Sequence, residues 1–382
     1  MELSSNWNYP TRMHFGSGRI NELPQLCKEL GITRPLLITD EGLTEVGFVK
    51  EILEHCRAQG LGIELFSDVQ SNPTGENVEA GVAAYHAGSH DGVIALGGGS
   101  GLDAAKAIAL MVGQTRPIWD FEDIGDNWLR VDPAGMAKLI AIPTTAGTGS
   151  EVGRASVIID TAEKKKKIIF HPNMLPGVVL ADPDLTMGLS AKITAATGMD
   201  ALSHSLEAFC APGFHPMADG IAMESMRLIK TWLPIAVAEP SNIDARSYML
   251  VASSMGATAF QKNLGGMHAL AHPLGAYYGA HHGLLNAVLM PYVLQYNSDV
   301  LDEPLQRLAR YLDLQGSDAV LNWILSLRKE VGIPNTLPDA GVEVDDVIAM
   351  AQAAVLDPSA GGNPKPLTVD EYAKILRHAI SG

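Results

Sequence analysis

Around Asp184 the character of this 382-residue chain changes, and that change constrains the fold more than any single motif. Upstream, short apolar runs bounded by Gly, Pro or Asp occupy residues 35–40, 62–67, 92–96 and 138–142. Stretches of helical period, 43–58 and 74–87, lie between them. Such βαβα alternation predicts a parallel sheet covered on both faces, because each parallel connection needs a crossover long enough to hold a helix. Runs at 156–160, 167–170 and 178–181 read as a further small strand group around Lys164 to Lys167, which reads as a solvated turn. Downstream the strand pattern nearly stops. From Ser190 on, Ala-, Leu- and Met-rich segments repeat with helical spacing over 191–209, 218–237, 243–260, 267–277, 284–296, 303–312, 317–331, 344–354 and 368–380. The expectation is an α/β domain over 1–188 and an all-helical domain over 189–382, with the active site in the cleft between them.

Composition narrows the class of partner. With 47% apolar and 18% charged residues the chain reads as soluble and globular, and a formal net charge of −16 would repel phosphate backbones and anionic lipid. The start, Met-Glu-Leu-Ser, carries an early acid and no apolar leader core, and no apolar run is long enough to span a bilayer. Cys27, Cys56 and Cys210 are too scattered to suggest a disulfide or thiolate framework. These features point to a cytoplasmic chain acting on a small molecule, with no nucleic-acid or membrane partner.

The densest chemistry lies in the helical half. Asp200 and His204 stand four residues apart in an Ala-rich helical stretch, so both face one side of the helix, one turn apart. A lone Asp-x-x-x-His pair is commonly a surface contact. Here, however, His268, His272, His281 and His282 follow in an apolar, Gly-rich segment, where unpartnered polar groups would be costly. Asp200, His204, His268 and His282 are the candidate metal ligands. One carboxylate with three imidazoles suits Fe(II) or Zn(II) better than Mg(II) or Ca(II), and so few protein ligands leave a position open for substrate.

Two loops in the first half suit a dinucleotide. Residues 91–106 read as strand, glycine loop and helix start, with Gly97, Gly98, Gly99 and Ser100 placed to let a diphosphate approach backbone amides at a positive helix end. The loop is neither a Rossmann fingerprint, since Leu102 stands where the third glycine belongs, nor a Walker loop. Thr144, Thr145 and Thr148 follow another strand and suit a polar ligand at the carboxyl edge of a sheet. Asp40, ending an early strand, is placed for the adenosine ribose hydroxyls and would repel a 2′-phosphate, which favours NAD over NADP.

Taken together, Gly-Gly-Gly-Ser followed by Asp103 and Lys106, Pro-Thr-Thr-Ala-Gly-Thr-Gly-Ser-Glu, Gly-Met-Asp-Ala-Leu-Ser-His, and His-x-x-x-His-Pro-Leu-Gly with His282-Gly283 resemble the iron-containing (group III) alcohol dehydrogenase family. The resemblance runs from about residue 10 to the C-terminus. It implies a Rossmann-like N-terminal NAD(P)-binding domain, an all-α C-terminal domain of the dehydroquinate synthase-like plan, and a homodimer or higher homo-oligomer. Carried over, it makes Asp200, His204, His268 and His282 the ligands, usually of Fe(II). His272 becomes a non-ligand histidine near the nicotinamide and a candidate proton relay. Asn72 falls to the adenosine side, and Asp103 to the cofactor loop. The reaction implied is reversible hydride transfer between nicotinamide C4 and a small primary alcohol or aldehyde whose oxygen meets the metal. Glycerol dehydrogenase-like and dehydroquinate synthase-like enzymes share the two-domain plan and form the alternative, although the basic metal segment such lyases need is absent.

Departures from the family pattern fall where substrate is expected. Gly153 and Ala155 stand where many members carry Thr and a bulkier residue, Phe260 to Asn263 precede the His268 segment, and Ser359-Ala360 stand where relatives carry Cys. Arg154 and Lys262 could select an acidic, semialdehyde-type substrate, the simpler expectation for each being a salt bridge.

Overall fold

A computed structural model describes residues 11–163 and 165–382. Lys164 of the lysine run and the Met-Glu-Leu-Ser start lie outside the described residues. The described chain forms two compact units, residues 11–145 with 149–187, and residues 146–148 with 188–382.

The first unit is built on eight strands: β1 (Arg12–Phe15), β2 (Pro35–Ile38), β3 (Glu64–Phe66), β4 (Gly92–Gly97), β5 (Leu139–Pro143), β6 (Ala155–Asp160), β7 (Lys165–Phe170) and β8 (Val178–Ala181). Its helices are α1 (Leu23–Glu29), α2 (Glu41–Thr44), α3 (Gly47–Ala58), α4 (Gly75–Ala87) and α5 (Gly99–Met111). Six strands form one parallel sheet in the order β1-β8-β5-β4-β2-β3. Every residue of β2, β4, β5 and β8 is buried, as expected of strands covered on both faces. From β2 the chain moves outward to β3, then returns past β2 to β4, β5 and β8. The reversal lies between β2 and β4, and the carboxyl ends of strands flanking such a reversal form a natural ligand crevice.

Local chemistry explains several boundaries. Thr74 caps α4 reciprocally with Asn77, so the helix starts at Gly75. The predicted helix over 43–58 is instead α2 and α3, parted where Val46 turns to extended backbone. Strand β8 does not join the small strand group expected around the lysines. It enters the main sheet between β5 and β1, because four consecutive apolar residues need cover on both faces. Only β6 and β7 pair antiparallel as that small group. Lysines 165–167 lie within β7 rather than in a turn. Lys167 is buried, 2.8 Å from Asp160 and 3.0 Å from Glu163, with its ammonium 5.2 Å above the Trp119 ring. Strand alternation thus turns one lysine inward, where two carboxylates hold its charge. Strand β1 was not expected: the polar–apolar alternation of Arg-Met-His-Phe runs for only four residues, and the strand forms a sheet edge.

The second unit contains α6 (Ala191–Cys210), α7 (Pro216–Ala238), α8 (Ile243–Ala259), α9 (Gly266–Tyr278), α10 (His282–Tyr296), α11 (Ser298–Tyr311), α12 (Asp318–Glu330), α13 (Val347–Leu356) and α14 (Val369–Ser381). Helix α6 is its axis, capped by Ser190 accepting from the Ile193 amide and packed against α7, α8 and α10. Every residue from Gly198 to Phe209 is buried, so α6 has no solvent face in that stretch. Polar side chains there must find partners or a ligand. Among the described residues no helix is long and apolar enough to cross a membrane.

Candidate metal centre and cofactor loops

Three helices each place two polar side chains one turn apart. Helix α6 carries Asp200 and His204, α9 carries His268 and His272, and α10 begins at His282 and carries Asn286. Asp200, His204, His268 and His282 converge, each offering one ligand atom, with all four atoms within 4.8 Å of one another. The approach of α10 depends on Gly283: a Cβ there would lie 2.5 Å from the Ala196 carbonyl oxygen and 3.1 Å from Asp200 Cβ. A side chain at 283 would lift His282 away from α6, which is why glycine directly follows the histidine.

Donor chemistry fits a divalent cation. His268 Nδ1 is 2.6 Å from Glu207 Oε2, so its Nε2 is the nitrogen left for the cluster. Burial pushes the Glu207 carboxyl up to about 7 against the backbone amides that donate to it, and pushes His268 down, leaving a neutral imidazole of the kind a cation needs. His204 Nδ1 is buried with no hydrogen-bond partner among the described residues. The ring of His204 stacks on His268 at 4.8 Å and meets the edge of Phe260 at 5.2 Å. Asp200, His204 and His268 are buried, while the His282 side chain is a quarter exposed, so the cluster opens on the His282 side. Asn286 Nδ2 lies 2.8 Å from Asp200 Oδ1, 3.1 Å from His268 Nε2 and 3.2 Å from His282 Nε2, and its own Oδ1 has no hydrogen-bond partner among the described residues. An amide N–H group thus faces lone pairs that a cation would otherwise take.

His272 stacks on His282 at 5.4 Å, and its Nδ1 is 2.9 Å from Asp357 Oδ2. Asp357 itself caps the turn after α13, accepting from the Ser359 amide at 2.8 Å. Burial would raise its carboxyl, but His272 and the Ser359 hydrogen bonds bring it below the ordinary carboxylate value. Sequence reasoning missed Glu207, Asn286 and Asp357. The spacing that singled out Asp200 and His204 could have found the first two, since Glu207 is seven residues beyond Asp200 and Asn286 four beyond His282. Asp357 carried no comparable signal.

In the first unit, the glycine loop and Asp40 come together at the β2/β4 reversal. Gly97 adopts φ +152, and Cβ atoms built on Gly97 and Gly101 would lie 3.5 and 3.7 Å from Asp40 Oδ2. Burial raises the Asp40 carboxyl. Among the described residues no side chain caps the start of α5, which leaves its first amides available to an anion. Thr144 N donates to Gly97 O at 2.9 Å, and a Cβ on Gly98 would stand 3.2 Å from the Thr145 side chain. Asn72, at φ 60, donates from its backbone to Ser100 Oγ, and its Oδ1 accepts from Lys166 at 2.8 Å. Thr148 belongs with the helical unit, where a Cβ on neighbouring Gly147 would press on Thr197 at 2.7 Å.

Other residues singled out above serve internal contacts. Asp103 accepts from Ser150 Oγ and from the Val157 amide, and pairs with Lys106 at 3.3 Å. Lys106 is fully buried, also donating to the carbonyls of Ser150 and Ala155, and burial lowers its pKa despite Asp103. This knot holds α5 against the β6 edge. Lys262 Nζ sits 2.6 Å from Asp219 Oδ1 and 3.3 Å from the Phe209 carbonyl, with Arg307 on the other Asp219 oxygen at 3.0 Å. Its charge is held there, and the structure does not bring it to the four ligands. Arg154 lies over the Phe170 ring at 5.6 Å, and Ser359 is buried beside Asp357.

Residues 10–183 match the family model described as iron-containing alcohol dehydrogenase, and residues 194–380 match the C-terminal model of the Fe-containing alcohol dehydrogenase family. A 4-hydroxybutyrate dehydrogenase of Cupriavidus necator is 37% identical, with 97% of this chain and 99% of that protein covered. The crystal structure of a 1,3-propanediol oxidoreductase superposes with a TM-score of 0.93 at 36% identity, covering 98% of this chain and all, 100%, of that one. A sulfoacetaldehyde reductase from Bifidobacterium kashiwanohense, solved in complex with NAD+, superposes with a TM-score of 0.90 at 29% identity, with 100% of both chains covered. Two family models in order, over a parallel sheet and a helical unit, place the chain in the iron-containing alcohol dehydrogenase family.

Proposed function

We propose that this alcohol dehydrogenase moves a hydride between nicotinamide C4 of NAD and a small primary alcohol or aldehyde, at a divalent cation held by Asp200, His204, His268 and His282. The convergence of those four ligand atoms within 4.8 Å, open on the His282 side, carries this reading. Bound there, Fe(II) or Zn(II) supplies a Lewis acid that polarises the C–O bond. The chain does the rest. Gly97 to Ser100 and the first amides of α5 take the diphosphate, and Asp40 accepts from the ribose hydroxyls and disfavours a 2′-phosphate. Residues 1–188 would thus hold the cofactor and 189–382 the cation. Phe260 walls the His204 side against water. His272, its Nδ1 committed to Asp357, keeps Nε2 for carrying the hydroxyl proton.

The test is removal and return of the metal. Chelation should abolish NADH formation from primary alcohols, Fe(II) or Zn(II) should restore it, and NADP should serve less well than NAD. An undiminished metal-free rate would overturn the reading.

A second, narrower reading is that the substrate carries an anion. It is favoured by the names of two relatives, a 4-hydroxybutyrate dehydrogenase and a sulfoacetaldehyde reductase, whose named substrates bear a carboxylate or a sulfonate. With Lys262 held by Asp219, Arg154 is the remaining candidate receptor among the cations considered. Rates for succinic semialdehyde, sulfoacetaldehyde and butanal decide it. Equal loss on all three in Arg154→Ala would remove Arg154 from the role.

A further inference from the structure

Glu207 is a buried acid that the hydride-transfer scheme leaves unused. It stands on the same face of α6 as Asp200 and His204, three residues beyond the latter. Its carboxylate accepts from the Gly265 amide at 2.8 Å, from the Met267 amide at 2.6 Å and from His268 Nδ1 at 2.6 Å. The two amides belong to the start of α9, where the Gly266 amide between them donates to Asn363 Oδ1 at 3.1 Å. One carboxylate therefore ties the helix carrying two ligands to the first turn of the helix carrying a third.

We propose that Glu207 is the positioning residue of the metal centre. A neutral imidazole carries its proton on either ring nitrogen, and only the bare nitrogen can bind a cation. By accepting a hydrogen bond from Nδ1–H, Glu207 holds His268 in the tautomer whose Nε2 lone pair is left for the cation. By capping α9, it also sets how far the ring reaches. Glutamine cannot replace it. A carboxamide has one oxygen for three donors on two sides, so its NH2 faces either His268 Nδ1 and Gly265 N, reversing the tautomer, or Met267 N, freeing the cap. The inference rests on the metal reading above.

The experiment measures Co(II) and Zn(II) affinity by chelator competition, with the Co(II) visible spectrum as a record of geometry. Glu207→Gln should bind at least about tenfold more weakly than wild type, and Glu207→Asp, which keeps the charge, should retain more affinity than Gln. In metal-free wild type, ¹⁵N shifts should show His268 protonated at Nδ1, a measurement that needs no variant to fold. A Gln variant with wild-type affinity and spectrum, or an Nε2-protonated His268, overturns the inference and leaves the proposed function standing. A wild-type chain that takes up neither cation overturns both.

Discussion

The proposed cofactor loop of the sheet unit and the proposed metal centre of the helical unit are built from opposite materials. At the loop, the working groups are backbone amides, and the residues matter for what they lack. Gly97 takes a φ of +152, and Gly98 has no side chain to strike Thr145. At the metal centre the working groups are side chains, and three of the four clustered rings, those of His268, His272 and His282, touch a further polar side chain. Glu207 grips His268, Asp357 grips His272, and Asn286 reaches three of the four ligands. A backbone site tolerates change in its surroundings provided nothing grows into it. A side-chain site depends on partners several helices away.

The strongest way to break this contrast is His268→Ala. It should empty the metal centre and lower kcat/KM about 1,000-fold, ~4 kcal/mol of transition-state stabilisation, while NAD affinity by fluorescence titration stays put. Retained metal with retained turnover would mean the quartet is not the working site. Gly283→Ala probes a place where the metal centre also depends on an absent side chain. Overpacking against Ala196 should cost about 1–3 kcal/mol in thermal unfolding and reduce metal content. A variant with unchanged melting and full metal would show that α10 can shift at no cost.

Asp40→Asn tests the loop alone. Removing the carboxylate should shift the NADP-to-NAD preference about tenfold toward NADP, ~1.4 kcal/mol, with metal content unchanged. An unaltered ratio of kcat/KM values would take Asp40 away from the ribose. The smallest effect on specificity should come from Lys262→Ala. It leaves Asp219 with Arg307 and destabilises the helical unit, yet the ratio of acidic to neutral aldehyde rates should stay within about twofold of wild type. A selective loss on the acids would return Lys262 to the substrate.

Much of this contrast was legible in the residues. Asp200 and His204 are visible because helix periodicity is local, and the spacing alone puts both on one face. Two Gly- or Thr-rich loops are visible because each follows a buried apolar strand. Lys262 was open to two readings, a substrate contact or a salt bridge, and Lys167 was expected in a solvated turn, for a shared reason. A cation in sequence looks available until its carboxylate, Asp219 or Asp160, is brought to it by the fold. Strand β8 misled differently, since an apolar run says that it will be covered but not by which sheet.

The sequence by itself determined the period switch near Asp184, the two-unit plan it implies, and the residue types able to hold a cation, since these depend on neighbours within one or two turns. Tertiary structure alone decided the strand order that places Asp40 beside the glycine loop. It also decided which acid partners each histidine, and that Glu207 joins two helices at one carboxylate. Those pairings link residues 61 and 85 positions apart, for Glu207–His268 and His272–Asp357. No local rule of spacing reaches so far, because burial and helix packing rather than chain geometry bring such groups together.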